Sequence, residues 1–169
     1  MSFIDHTHAW LRGEAVDMAV LSVVGVALLV LAIVLWRMVA TPLGQALVIP
    51  CVLVAVLFLG SGLSGVLSAQ TKIDQYSASY ESDPDGFVQS EHDRVSGFDR
   101  IYAYTLIGAA VGFGLALCIF VLTDHATWRA FGIMFVFLAL SALVIDGFSS
   151  ERAAIYAAEI EKELARPDQ

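Results

Sequence analysis

Four stretches of the chain carry little or no charge, and each is long enough to cross a bilayer. Met18 to Trp36 gives 19 uncharged residues, Ala46 to Ala69 gives 24, Ile101 to Thr123 gives 23, and Ala130 to Ser150 gives 21 with Asp146 as its only charge. An α-helix rises about 1.5 Å per residue, so roughly 20 apolar residues cover the ~30 Å hydrocarbon layer. Lipid offers no partner to a backbone N–H or C=O, so such stretches must be helical. The pattern predicts an all-α polytopic membrane protein with four transmembrane helices.

The polar interruptions set the pairing of these spans. Residues 37–45 are a short connection holding Thr41-Pro42, an N-cap followed by proline at the first helical position. Residues 124–129 are shorter still and begin with Asp124, another capping residue type. Tight connections make antiparallel neighbours, so residues 18–69 and 101–150 read as two transmembrane hairpins. Trp10, Trp36, Trp128, Tyr102 and Tyr104 lie near the ends of apolar runs, where interfacial aromatics belong.

The polar segments also show helical periodicity. Ile73, Tyr76 and Tyr80 continue the second span beyond its apolar part, and Asp83-Pro84 reads as a stop and restart. Phe87, Glu91, Phe98 and Tyr102 then keep to one face of a helix entering the third span, making residues 70–100 a polar helical hairpin. Residues 151–169 read as an amphipathic C-terminal helix with Tyr156, Ile160 and Leu164 on one stripe, Glu159 and Glu163 beside it, and Pro167 at its end. Residues 1–17 read as an interfacial segment, a short helix over 3–13 anchored by Trp10 and Leu11. An even number of crossings puts these three segments on one side. Together they predict a small polar bundle with Ile73, Tyr76, Phe87, Phe98, Tyr156 and Ile160 as its core.

Composition sharpens this picture. Hydrophobic residues form 58% of the 169-residue chain and charged residues 15%, an excess that a soluble domain would expose as aggregating surface. The formal charge of −8 is concentrated on the polar side. Residues 70–100 hold seven acidic and three basic groups, and residues 146–169 hold six and three. Such a surface repels nucleic acid, and no polybasic patch for anionic headgroups is present. Seven of the nine Lys and Arg residues lie on the side of the termini. The positive-inside rule therefore places both termini in the cytoplasm of a bacterial-type inner membrane. The first apolar run follows an acidic stretch and precedes Arg37, which reads as a retained helix and not a cleaved signal.

Ionisable residues near the span ends are the main candidates for chemistry. Asp146 stands inside a span, where a charge is expensive and by default functional. Glu14, Asp17, Lys72, Asp99, Arg100, Glu151 and Arg152 mark the same end of the four spans. The eight residues read either as a charged vestibule for ions or protons, or as a girdle of salt bridges fixing the helix ends. His6, His8 and His92, with nearby carboxylates, are weak metal candidates because spacing alone does not make three or four ligands converge. Cys51 and Cys118 lie near the outer ends of their spans and read as either a disulfide or two small apolar residues. No cofactor fingerprint is present: the chain lacks a Gly-rich phosphate loop, a nucleophile elbow, a His-Glu-x-x-His motif and a mid-span histidine pair for haem.

Small residues form the clearest pattern inside the spans. The second span carries Gly60, Ser64 and Ser68, with Ser61 and Gly65 offset by one, and the third carries Gly108 and Gly112. Small residues let backbones approach closely in lipid. They predict either packing of the second span on the third or a face for self-association or another membrane protein. Three roles follow. The first is a non-catalytic subunit, regulator or immunity-type protein acting by association, with lipid and membrane proteins as its partners. The second is a homo-oligomeric cation or proton pathway lined by Asp146 and neighbouring carboxylates. The third is a lipid-headgroup enzyme using Glu91, His92, Asp93 and Asp99 as acid-base groups.

Overall fold

A computed structural model describes residues 2–166, apart from the side chain of Asp99. The chain forms five helices in the order α1 (Phe3–Met38), α2 (Pro42–Ser82), α3 (Pro84–Val95), α4 (Phe98–Leu122) and α5 (Ala126–Leu164). Among the described residues there is no strand. Four of these helical segments are long and apolar enough to cross a membrane, so the protein is an all-α multi-pass membrane protein.

The caps follow the local chemistry. Thr41 accepts a hydrogen bond from the Gly44 N–H at 3.2 Å with Pro42 at the first position of α2. Asp83 accepts from the Gly86 N–H at 3.0 Å and opens α3. The start of α5 differs from expectation. Its N-cap is His125, while Asp124 pairs with Arg129 and so stabilises the loop instead of the helix end. The predicted continuous helix from residue 87 into the third span is broken at Ser96 and Gly97. There the Ser96 hydroxyl donates back to the Asp93 carbonyl at 2.9 Å and competes with the backbone ladder, while glycine adds its own helix-breaking tendency.

One further correction concerns the N-terminus. Residues 3–17 do not form a separate helix lying flat in an interface. They continue α1 without a break, and Phe3, Trp10 and Leu11 are buried among other helices. The C-terminal amphipathic helix forms as expected, as the extension of α5 to Leu164, and Pro167 lies outside the described residues.

α5 is the spine of the assembly. α1 and α2 form one hairpin, α4 and α5 the other, and α5 also packs on α1, α2 and α3. Among the described residues α4 makes extended contact with α5 alone, apart from Phe98 at its start, which stacks on Trp10. Of the two alternatives for the small residues, close packing of the second span on the third is therefore not seen among the described residues. Some of the small residues act within each hairpin instead. A Cβ placed on Gly62 would lie 2.7 Å from the Met18 carbonyl oxygen, and one on Gly65 would lie 2.9 Å from Met18 Cβ. On α4 the stripe Ala109, Gly112 and Ala116 faces α5, with Gly112 against Ala139.

Two buried clusters hold the helices together. Leu28, Ala32, Cys51, Val54, Ala55, Phe58 and Met134 join α1, α2 and α5 at the apolar end. At the polar end Phe3, Trp10, Leu11, Phe87, Val88, Val95, Tyr156 and Ile160 form a second core, with Ile73, Tyr76 and Phe98 packed against it. All six side chains predicted for this bundle are in that cluster.

Candidate functional site

The polar-end core is built around one buried carboxylate. Glu91 is 4% exposed, on the inward face of α3. Arg94, one turn later on the same helix, donates to it through Nε at 2.9 Å and Nη2 at 2.5 Å. The Tyr156 hydroxyl donates to Glu91 Oε2 at 2.8 Å, and Thr7 Oγ1 lies 3.0 Å from the Tyr156 oxygen. The Arg94 guanidinium also lies over Trp10 at 4.4 Å and over Phe98 at 5.2 Å. Burial and the adjacent Glu91 charge push the Tyr156 phenol well above its ordinary range, and burial pushes the Tyr76 phenol up as well. The network thus ties α1, α3, α4 and α5 together with every strong acceptor satisfied.

The helical spacing puts Glu91 on one face with Phe87 and Phe98 but does not identify its partners. An i,i+3 Glu–Arg pair beside a buried tyrosine stripe was the available signal. Trp10 carried an interfacial reading, yet its ring is stacked 5.5 Å from Tyr156 inside the core. As a catalytic group for headgroup chemistry, Glu91 is already committed to Arg94 and Tyr156.

The charged residues near the span ends divide into separate groups. Asp17 and Arg152 form an ion pair that joins α1 to α5. Arg152 also covers Gly13, where an added Cβ would lie 2.8 Å from its Nε. Glu14 and Lys72 face a different space, a groove of about 440 Å³ between α1 and α2. Ser61, Ser64, Gly65 and Ser68 line the same groove, so residues predicted as charged girdle and as association face meet there. The three serine hydroxyls donate to carbonyls of their own helix, at 2.8–3.1 Å. Arg100 and Glu151 are exposed, and the Asp99 side chain lies outside the described residues.

Asp146 stands apart from these pairs. It is half-buried on α5 and makes no hydrogen bond or ion pair with the described residues. Its place follows from the α4–α5 register. Gly132 lies against Ile119, and Gly112 against Ala139, a seven-residue step on both antiparallel helices. The next such step brings Asp146 level with Thr105. That position lies between a groove lined by Thr105, Gly108 and Ala142 and a cavity of about 300 Å³ lined by His92, Tyr102 and Ser150.

The histidines do not converge. His8 Nε2 is 2.8 Å from Ser77 Oγ, His6 lies 3.9 Å from Glu159, and His92 faces its neighbour Asp93 at 3.6 Å. Among the described residues no three His, Cys, Asp or Glu side chains are placed to hold a metal. Cys51 is buried with its thiol 3.9 Å from Met134 Sδ, Cys118 is exposed, and the two are not bonded. Gly60, Gly108 and Gly114 meet nothing within 4 Å of an added Cβ. Compared with protein families, with curated proteins and with solved structures, the chain matches none of them.

Proposed function

We propose that this multi-pass protein acts by association in the membrane, as a subunit, regulator or immunity-type companion of itself or of another membrane protein, without catalysis of its own. One observation carries the reading: α4 is an apolar spanning helix supported along its length only by α5. Its other sides are uncovered by protein and include Gly108 and Gly114, where a neighbouring backbone can approach without obstruction. Leu106, Ile107, Val111 and Leu117 flank them and are 56–64% exposed. In lipid, association follows from such close packing and not from a hydrophobic drive.

The reading places the protein in a bacterial-type inner membrane with both termini and the Glu91 core on the cytoplasmic side, since most basic residues lie there. The test is photo-crosslinking from position 108 in native membranes. A crosslinked species of defined mass supports association. Recovery of the uncrosslinked monomer alone overturns it.

A second reading, a homo-oligomeric cation or proton pathway, is favoured by Asp146, which has no partner among the described residues, and by Glu14 in its serine-lined groove. The Asp17–Arg152 pair removes one carboxylate from that path. Liposome flux that disappears in Asp146→Asn would establish this role, and its absence under any imposed gradient would exclude it.

A further inference from the structure

We infer that the open groove between α2 and α4 takes a transmembrane helix of a different protein, and that a lysine or arginine on that helix meets Asp146. The inference rests on the association reading and names its partner's chemistry. The groove holds about 480 Å³, with Leu57 and Ser61 of α2 on one side and Thr105 and Gly108 of α4 on the other. Its floor is α5, including Ala139 and Ala142. Asp146 follows Ala142 by four residues and Ala139 by seven, so it shares their face of the helix, one turn beyond Ala142 toward the polar end. At the other positions of this seven-residue series, Gly132, Ala139, Ala153 and Ile160 are all buried, and Asp146 alone is half-covered.

Charge complementarity selects the occupant. A carboxylate six residues, or ~9 Å, inside the Asp17–Arg152 pair is costly unless a cation or a proton reaches it. Among the described residues this chain offers it no cation. Its four apolar stretches contain no Lys or Arg, Arg152 is held by Asp17, and Arg94 is held by Glu91. Lys72 faces the separate Glu14 groove. Arg100 sits five residues, or ~7.5 Å, nearer the polar end than Thr105. A second copy in parallel orientation carries the same deficit at the same depth. The base must therefore come from a different protein, whose helix also fills the small-residue cleft beside Gly108.

The test uses the full-length protein in liposomes with synthetic single-span peptides of a leucine–alanine host, read by energy transfer between labels. One peptide carries lysine at the depth of Asp146, one carries leucine there, and one carries the lysine a heptad further along. The depth-matched lysine peptide should bind roughly tenfold more tightly than the leucine peptide. That preference should vanish in Asp146→Asn and persist in part in Asp146→Glu. Asp146 has no partner to lose among the described residues, so Asp146→Asn should keep the wild-type helicity and melting. Equal binding of lysine and leucine peptides, or a lysine preference that survives Asp146→Asn, overturns the inference. Self-association of labelled copies that excludes every peptide also overturns it, by assigning the groove to a second copy. If Gly108→Leu still dissociates the native complex while these peptides show no preference, association stands and only the basic partner falls.

Discussion

Tyr156 donates its hydroxyl proton to Glu91 Oε2 at 2.8 Å, tying the extension of α5 to the short α3. The contact brings together residues 65 positions apart and gives the buried carboxylate a second donor beyond Arg94. Glu91 has the role of a central acceptor: remove it, and both a guanidinium and a phenol lose their partner inside an aromatic core. Glu91→Ala should therefore lower stability by about 3 kcal/mol, toward the lower end for a broken buried pair because Arg94 is partly exposed. Glu91→Gln should lose less, since it still accepts from Tyr156. Chemical denaturation in detergent, followed by circular dichroism, measures both.

The raised Tyr156 phenol gives a pH dependence of known sign. A group whose folded pKa lies above its unfolded value contributes stability that is intact below the unfolded pKa of about 10 and is lost as pH rises beyond it. Melting temperature should be insensitive to this group up to roughly pH 9.5 and fall above it as the unfolded chain releases the phenolic proton. Tyr156→Phe should flatten that alkaline decline, leaving the smaller contribution of Tyr76, while lowering stability at neutral pH. A decline of equal slope in Tyr156→Phe would contradict the assignment.

Two glycines on the same helix should respond oppositely to one methyl group. Gly62 packs directly on α1, so Gly62→Ala forces α1 and α2 apart and should cost about 1–3 kcal/mol. Gly60 faces open space, so Gly60→Ala should be neutral or stabilising by up to about 1 kcal/mol through helix propensity. Thermal melts of the two variants in the same detergent decide the contrast.

The Asp17–Arg152 pair should behave as a clamp between α1 and α5. Asp17 is 14% and Arg152 31% exposed at the side chain, so the pair is partly shielded. Asp17→Asn and Arg152→Gln should each destabilise by about 1–2 kcal/mol, and the double variant should cost little more than either alone. Additive losses in that cycle would show that the two residues act separately.

Much of this architecture is legible in the chain because lipid imposes a hard rule on length and charge. The four spans and the six-residue polar-end core follow from periodicity, and the caps at Thr41 and Asp83 from the proline that follows each. The arrangement of the hairpins does not. Small residues appear on several faces of α2 and α4, and the string cannot say that Gly62 and Gly112 meet neighbours while Gly60 and Gly108 meet none. The break at Ser96 and Gly97 was obscured because Phe87, Glu91, Phe98 and Tyr102 continue in helical register across it. Among the charges, the common depth of Asp17, Arg152, Glu14 and Lys72 was readable from their positions. Their partition into a clamp and a separate groove depends on helix rotation, which only tertiary packing fixes.

The account turns on the uncovered face of α4 being a contact surface. Native mass spectrometry of the protein ejected directly from membrane vesicles measures this without disrupting weak complexes. The wild-type chain should appear in a complex heavier than one chain with its lipids, and Gly108→Leu should return it to the single-chain mass while preserving its helicity. A wild-type spectrum containing only single chains with bound lipid would contradict the account.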